Sequence, residues 1–182
     1  MRVVAGRFGG RRLRAPRGRD TRPTSDRVRE ALFSMLGPLD DARVLDLFAG
    51  SGALGIEALS RGAATAILVE RDARAVEVIR ANLDALGLGA VEAELVRADA
   101  RAALRDASAR GDAYDLVFLD PPYRDAAALG RELSRALPAV LARDARVVAE
   151  SDRRAPLQID LPVVRERRYG DTLIRIHASH GT

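Results

Sequence analysis

Val44-Leu45-Asp46-Leu47-Phe48-Ala49-Gly50-Ser51-Gly52-Ala53-Leu54-Gly55 is the stretch on which the fold turns. Val44 to Phe48 are apolar except for Asp46, and the run is too short for a helix. It reads as a buried parallel strand. Gly50, Gly52 and Gly55 form a Gly-x-Gly-x-x-Gly turn, and Ile56-Glu57-Ala58-Leu59 begins a helix after it. Glycines let the backbone come close to a ligand, and the helix N-terminus offers free N–H groups to its polar end. Glu70 lies 20 residues past Gly50, at the end of the next apolar run, Ala66 to Val69. An acid there suits a pair of ribose hydroxyls. Strand, glycine turn, helix and acid together point to a nucleoside-type cofactor without saying which one.

Downstream of Arg43 the same alternation continues. Strands are predicted at 43–48, 65–70, 93–97, 114–120, 145–150, 163–169 and 172–177. Helices are predicted at 52–61, 72–86, 100–109 and 125–137. Alternating strands and helices imply an α/β fold, a doubly wound, mostly parallel sheet of seven strands. The last two strands have only Tyr169-Gly170-Asp171-Thr172 between them, so they form a hairpin and an antiparallel edge. Asp46, Glu70, Asp99 and Asp120 each close an apolar run. In a parallel sheet all four lie at the carboxyl edge, where ligands bind. Any one of them alone more often caps a helix. In this setting Asp99 is placed to accept from an adenine amino group.

Upstream, Val3-Val4-Ala5, Phe8-Gly9-Gly10 and Leu13 read as a short hairpin, followed by a loop from Pro16 to Pro23. Thr24 is the expected N-cap of a helix, with Asp26 in its first turn. Val28, Ala31, Leu32, Met35 and Leu36 follow helical spacing, and Gly37-Pro38 ends it. The helix is expected to pack on the body, leaving hairpin and loop free to reach out. Residues 1–37 thus form a basic N-terminal extension and 38–182 the main domain.

The chain has 182 residues, 47% of them hydrophobic, enough for one domain with a core of its own. No apolar run approaches the ~20 residues that span a bilayer. Met1 to Arg7 hold no apolar signal core, so a cytoplasmic protein is expected. Cysteine is absent, which excludes disulfides, thiolate metal sites and cysteine nucleophiles. His177 and His180 read as surface residues rather than metal ligands, and no metal is expected. All 30 basic residues are Arg. Residues 1–29 carry ten of them against Asp20 and Asp26, a balance of +8, while the rest of the chain stands at −4. A basic arm on a mildly acidic body points to a polyanion, most simply nucleic acid, since arginine makes bidentate contacts to phosphates and bases.

Leu116-Val117-Phe118-Leu119 runs into Asp120-Pro121-Pro122-Tyr123. A strand that ends in two prolines cannot continue pairing. It leaves an acid, a free carbonyl and an aromatic ring side by side, a set suited to an exocyclic amino group of a base. Asp120 and the Pro121 carbonyl accept its two N–H bonds, which aims the nitrogen lone pair at an electrophile. Tyr123 stacks on a base turned out of its helix.

With these residues quoted, the chain resembles the Rossmann-like S-adenosylmethionine-dependent methyltransferases. More narrowly, it is similar to the bacterial 16S ribosomal RNA (guanine(966)-N(2))-methyltransferase family. The likeness covers nearly the full length. Arg2 to Arg11 and Arg22 to Phe33 carry the substrate assignment, while Asp46 to Gly62 and Asp120 to Tyr123 carry the reaction class. The resemblance implies methyl transfer from S-adenosylmethionine to the N2 amino group of a guanine in 16S rRNA. The substrate it implies is a small ribosomal subunit or its assembly intermediate, and the protein is expected to act as a monomer. It implies cofactor contacts from Asp46, Phe48, Ala49, Gly50, Ser51, Gly52, Glu70, Arg71, Asp99 and Ala100, and catalysis by Asp120, Pro121, Pro122 and Tyr123. Charge and likeness together assign RNA docking to Arg7, Arg11, Arg12, Arg22, Thr24, Ser25 and Asp26. Three other readings share parts of this pattern. A nicotinamide-dependent oxidoreductase would keep the glycines and Glu70 but has no use for Asp-Pro-Pro-Tyr. An amino-methyltransferase acting on another RNA or DNA base would keep both motifs. A non-catalytic RNA-binding ribosome assembly factor would keep the fold without an intact cofactor site.

Overall fold

The computed structural model describes residues 1–16, 25–122 and 126–180. Seven strands form one sheet: β1 Arg43–Asp46, β2 Thr65–Val69, β3 Ala93–Val96, β4 Tyr114–Leu119, β5 Leu141–Asp152, β6 Val163–Tyr169 and β7 Thr172–Ala178. The helices are α1 Asp26–Leu36, α2 Ala53–Ser60, α3 Ala73–Leu86, α4 Ala100–Arg110 and α5 Ala126–Ala136, with a 3-10 turn at Leu137–Val140. The strand order is β3-β2-β1-β4-β5-β7-β6, and β1 to β5 pair in parallel. The expected doubly wound architecture is therefore present. The order reverses between β1 and β4, which makes their carboxyl ends the switch point where such sheets take ligands.

The C-terminal hairpin enters the sheet in an arrangement that the sequence reading left open. β7 lies between β5 and β6, antiparallel to both, and β6 forms the outer edge. The composition explains this order. Leu173, Ile174 and Ile176 of β7 are buried, whereas β6 carries Arg165, Glu166, Arg167 and Arg168. A charged strand suits an open edge, because it discourages pairing with another chain.

Side chains alternate between two cores with the strand period of 2. One core gathers Val44, Leu68, Phe118, Val148 and Ile174 under α1, α2 and α3. The other gathers Leu45, Val117, Leu119, Val147 and Ala149 under α4 and α5. The parity has a consequence for the site. Asp46, Glu70, Asp120 and Glu150 all fall on the first of these two faces, at the carboxyl ends of β1, β2, β4 and β5. Gly55 lets α2 sit close on that face, since a Cβ there would lie 2.3 Å from Leu68 Cδ2.

Two expectations for the N-terminus are corrected. The N-cap of α1 is Ser25, whose Oγ accepts from the Val28 N–H at 3.3 Å; Thr24, the expected cap, lies outside the described residues. The hairpin is also not free to reach out. Arg2 and Arg12 bridge it, and its Val3 and Leu13 belong to the same core as α1 and α2. Glu57 on α2 accepts from the Val4 and Ala5 N–H groups at 2.7 and 3.0 Å. Ser60 accepts from Phe8 N–H and Arg7 N–H and donates to the Ala5 carbonyl. Gly6 packs so tightly that a Cβ there would lie 1.8 Å from the Ser60 carbonyl oxygen. The arginines dominate the arm's charge, but its apolar and backbone groups find partners on the body, and those decide where it sits. His177 is likewise buried, its Nδ1 donating to the Leu161 carbonyl at 2.9 Å, whereas His180 is exposed as expected.

Candidate active site

The glycine turn runs from the end of β1 to the start of α2. Gly50 and Gly52 both take left-handed conformations, at φ +57° and +80°. Gly52 caps α2 without any side-chain hydrogen bond, so the helix N-terminus faces the carboxyl edge uncovered by a capping side chain. The turn is tied to its neighbours: Ala49 N–H donates to the Val69 carbonyl at 3.0 Å, and Gly50 N–H donates to Glu70 Oε2 at 2.9 Å. Phe48 is half-buried; Ala49 and Ser51 are buried.

Asp46 is the buried acid at the centre of the edge, 1% exposed. Its Oδ2 accepts from Gly55 N–H at 3.3 Å, while Oδ1 is buried and makes no hydrogen bond with the described residues. Burial, with Glu70 adding to it, pushes its carboxyl up to about 7, against the opposing backbone N–H bonds of Phe48 and Gly55. An orphaned oxygen at this depth costs free energy unless a donor fills it. A cationic amino group arriving from a ligand would be such a donor.

Glu70 follows β2 and is buried. Each of its oxygens already accepts one backbone N–H, Oε2 from Gly50 and Oε1 from Asp72 at 2.9 Å. A carboxylate oxygen takes more than one donor, so these bonds leave room for the ribose role expected from the sequence. Arg71 beside it is exposed. Asp99 is the N-cap of α4: Oδ1 accepts from Arg101 N–H at 3.0 Å and pairs with its guanidinium at 3.1 Å. Ala100 after it is buried. Asp99 thus serves as a helix cap, the commoner role of an acid that closes an apolar run.

Asp120 stands directly past β4. Leu119 pairs with Ala149, so Asp120 and Glu150 follow side by side from adjacent strands. Burial, then the facing Glu150, then Asp46, push the Asp120 carboxyl well above its usual range. Pro122 is exposed and Pro121 buried; Tyr123 lies outside the described residues. Glu150, 4% exposed, was missed from the sequence. The signal was available, because Val147-Val148-Ala149-Glu150 is the same apolar run closed by an acid that singled out the other four.

The proposed RNA contacts divide. Arg7 pairs with Glu92 at 2.5 Å and lies over the Phe8 ring, and Arg11 donates to the Ala85 carbonyl at 2.7 Å. Arg12 is exposed, with no ion pair among the described residues. Asp26 is held by Arg2 at 3.2 Å and by buried Arg29 at 2.8 Å, which ties α1 to the hairpin. Ser25 serves α1 as its cap, and Arg22 lies outside the described residues. Asn82, also missed, is 1% exposed and bridges the arm to the glycine turn. It donates to the Arg14 and Ser51 carbonyls at 3.1 and 2.9 Å and accepts from Arg14 N–H at 2.8 Å. Among the described residues no His, Asp or Glu group has the arrangement of a metal site, and no helix is long and apolar enough to cross a membrane.

The chain is 42% identical over 190 residues to the Bacillus subtilis protein YlbH, named as a candidate rRNA methyltransferase, and the match covers 100% of both. It is 45% identical over 125 residues to the Escherichia coli ribosomal RNA small subunit methyltransferase D, covering 68% of this chain and 61% of that one. Among solved structures, an Escherichia coli protein described as a candidate methyltransferase, yhhF, superposes with a TM-score of 0.82 at 36% identity, over 100% of this chain and 99% of that one. The family model described as conserved hypothetical protein 95 matches residues 1–178, and the chain belongs to that family.

Proposed function

We propose that this protein transfers a methyl group from S-adenosylmethionine to the exocyclic N2 amino group of a guanine in 16S rRNA of the small ribosomal subunit. The observation that carries this reading is the shared carboxyl edge: the glycine turn, buried Asp46, Glu70 and the Asp120-Pro121-Pro122 turn meet at the switch point of one sheet. The names of the relatives support rRNA of the small subunit as substrate and methyl transfer as reaction.

In this reading the cofactor supplies an electrophilic methyl on sulfur. Gly50, Gly52 and the start of α2 hold its methionine end, with Asp46 Oδ1 receiving the amino group. Glu70 accepts from the ribose and Asp99 from the adenine. Asp120 and the Pro121 carbonyl accept the two N–H bonds of the guanine amino group, and Tyr123 stacks on the base. The nitrogen lone pair forms the new N–C bond, the C–S pair remains on sulfur, and the proton left on nitrogen passes to a carboxylate or to water. Asp120 stabilises the positive charge that grows on nitrogen, and alignment supplies the rest. Residues 1–37 serve as the docking extension for RNA, 38–182 as the catalytic domain, and the protein acts as a monomer in the cytoplasm.

The test uses small subunits from a strain lacking this gene, the purified protein and labelled S-adenosylmethionine. Nucleoside analysis of the digested RNA should yield N2-methylguanosine. Methylated adenosine or cytidine instead, or no methylated product, overturns the proposal.

A further inference from the structure

The Asp120-Pro121-Pro122-Tyr123 motif accounts for an amino group but not for the base that carries it. Adenine, cytosine and guanine all offer one. Their edges differ beside it. In adenine and cytosine the amino group neighbours a bare ring nitrogen, an acceptor. In guanine it lies between N1–H, a donor, and the bare N3. A second acceptor next to Asp120, on the N1 side of the amino group, therefore finds a donor only in guanine, whereas the same group would face a lone pair on either of the others.

Such an acceptor is present. β4 and β5 are parallel neighbours, paired through Phe118 with Val148 and Leu119 with Ala149. The next step places Asp120 beside Glu150, on strands spaced by about 4.8 Å. Both carboxyls belong to the sheet face that also carries Asp46, by the strand period of 2. Glu150 is 4% exposed, so the acid is not a solvated surface group. It lies on an inner strand, between β4 and β7, at the same carboxyl edge as Asp120. The edge it shares also holds Asp46 Oδ1, buried and without a hydrogen-bond partner among the described residues, a sign that donors from a ligand complete this site.

We infer that Glu150 is the specificity residue of this site, accepting the N1–H of the target guanine while Asp120 and the Pro121 carbonyl hold its N2 amino group. The inference rests on the guanine-N2 reading proposed above. It explains how a motif common to amino-methylating enzymes is confined to one base: two adjacent acceptors match two adjacent donors, whereas on adenine or cytosine the second acceptor meets a lone pair.

The experiment compares guanosine with 2-aminopurine riboside at the methylated position of small-subunit particles. 2-Aminopurine keeps the N2 amino group but has a bare N1. Its missing O6 affects every variant alike, so the ratio of kcat/KM for guanosine over 2-aminopurine isolates the N1 contact. Glu150→Gln should lower that ratio roughly tenfold or more, since the amide can donate to a bare N1. Glu150→Asp, which keeps the charge at shorter reach, should fall between. Unaltered S-adenosylmethionine affinity in both variants reports an intact fold. A ratio unchanged within twofold in both variants overturns the assignment of Glu150 while leaving the guanine-N2 reading in place. If the parent protein forms no N2-methylguanosine on guanosine particles, the underlying reading fails, and the inference with it.

Discussion

The buried side-chain amide of Asn82 donates to the Ser51 carbonyl at 2.9 Å. That one bond joins α3 to the glycine turn, and the remaining bonds of the same amide hold Arg14 at the base of the basic arm. Ser51 Oγ in turn contacts Met1 Sδ at 3.3 Å. Arm and turn are thus parts of one hydrogen-bonded unit. Asn82→Ala should cost about 1–3 kcal/mol in stability, because buried groups lose their partners. It should weaken S-adenosylmethionine binding and expose the arm's arginines to trypsin together. A variant that changed only one of the two would show that Asn82 does not couple them.

Asp46 predicts a pH dependence. Its folded value, about 7, lies above the ordinary 3.8. The folded protein therefore holds this proton more tightly than the unfolded chain. The resulting stability is fully present below about pH 4 and is lost as pH rises through 7. Between pH 6 and pH 8 the loss should be about 1 kcal/mol. Asp46→Asn, which stays neutral, should remove that part of the slope. Urea titrations of both proteins at pH 6 and 8 decide it, and parallel slopes would place the raised carboxyl elsewhere.

Asp120 should separate binding from chemistry. Asp120→Ala should leave S-adenosylmethionine affinity nearly intact and lower kcat roughly 100-fold. Asp120→Asn keeps an acceptor and should retain more activity. Because the Asp120 carboxyl is held above its usual range, it is protonated at lower pH and loses the charge it offers the amino group. Turnover of the parent should therefore rise with pH, and the Asn variant should show a flatter profile. An Asn variant as inactive as Ala would mean that charge, not acceptance, is the essential property.

For RNA docking the structure ranks the arginines. Arg7 and Arg11 already have partners on the body, and Arg12 is exposed without an ion pair among the described residues. Arg12→Ala should lower RNA affinity and reduce the log–log salt slope by nearly one unit for a lost phosphate contact. Arg7→Ala should change the slope less. Filter binding to small-subunit particles from 50 to 200 mM salt measures both, and equal slopes for parent and Arg12→Ala would remove Arg12 from the interface.

Most of the candidate site at the carboxyl edge was legible in the sequence, because it depends on local rules. A short apolar run closed by an acid and followed by a turn reads as a buried strand, and Gly50 and Gly52 are needed where the chain turns left-handed into α2. Asp46, Glu70 and Asp120 therefore came out in their places. Glu150 obeyed the same rule and was passed over, since the fifth strand carried no accompanying motif. The position of β6 at the edge was likewise readable from its arginines, once the strand is asked which side it can leave unpaired.

The arm was misjudged for a different reason. Its composition reports ten arginines in 29 residues, but not that Val4 and Ala5 N–H groups meet Glu57, or that Gly6 lies against Ser60. Those partners are more than 50 residues away in the chain. By itself the sequence determined the elements, the parallel sheet and the acids at its carboxyl edge, since strand period, glycine turns and strand-ending prolines act within a few residues. Only the tertiary structure decided that the basic arm is clamped to α2 and α3 and that Glu150 stands beside Asp120. The first depends on which helices the arm meets and the second on which strands become neighbours and in what register, and a chain reveals that only when it is folded.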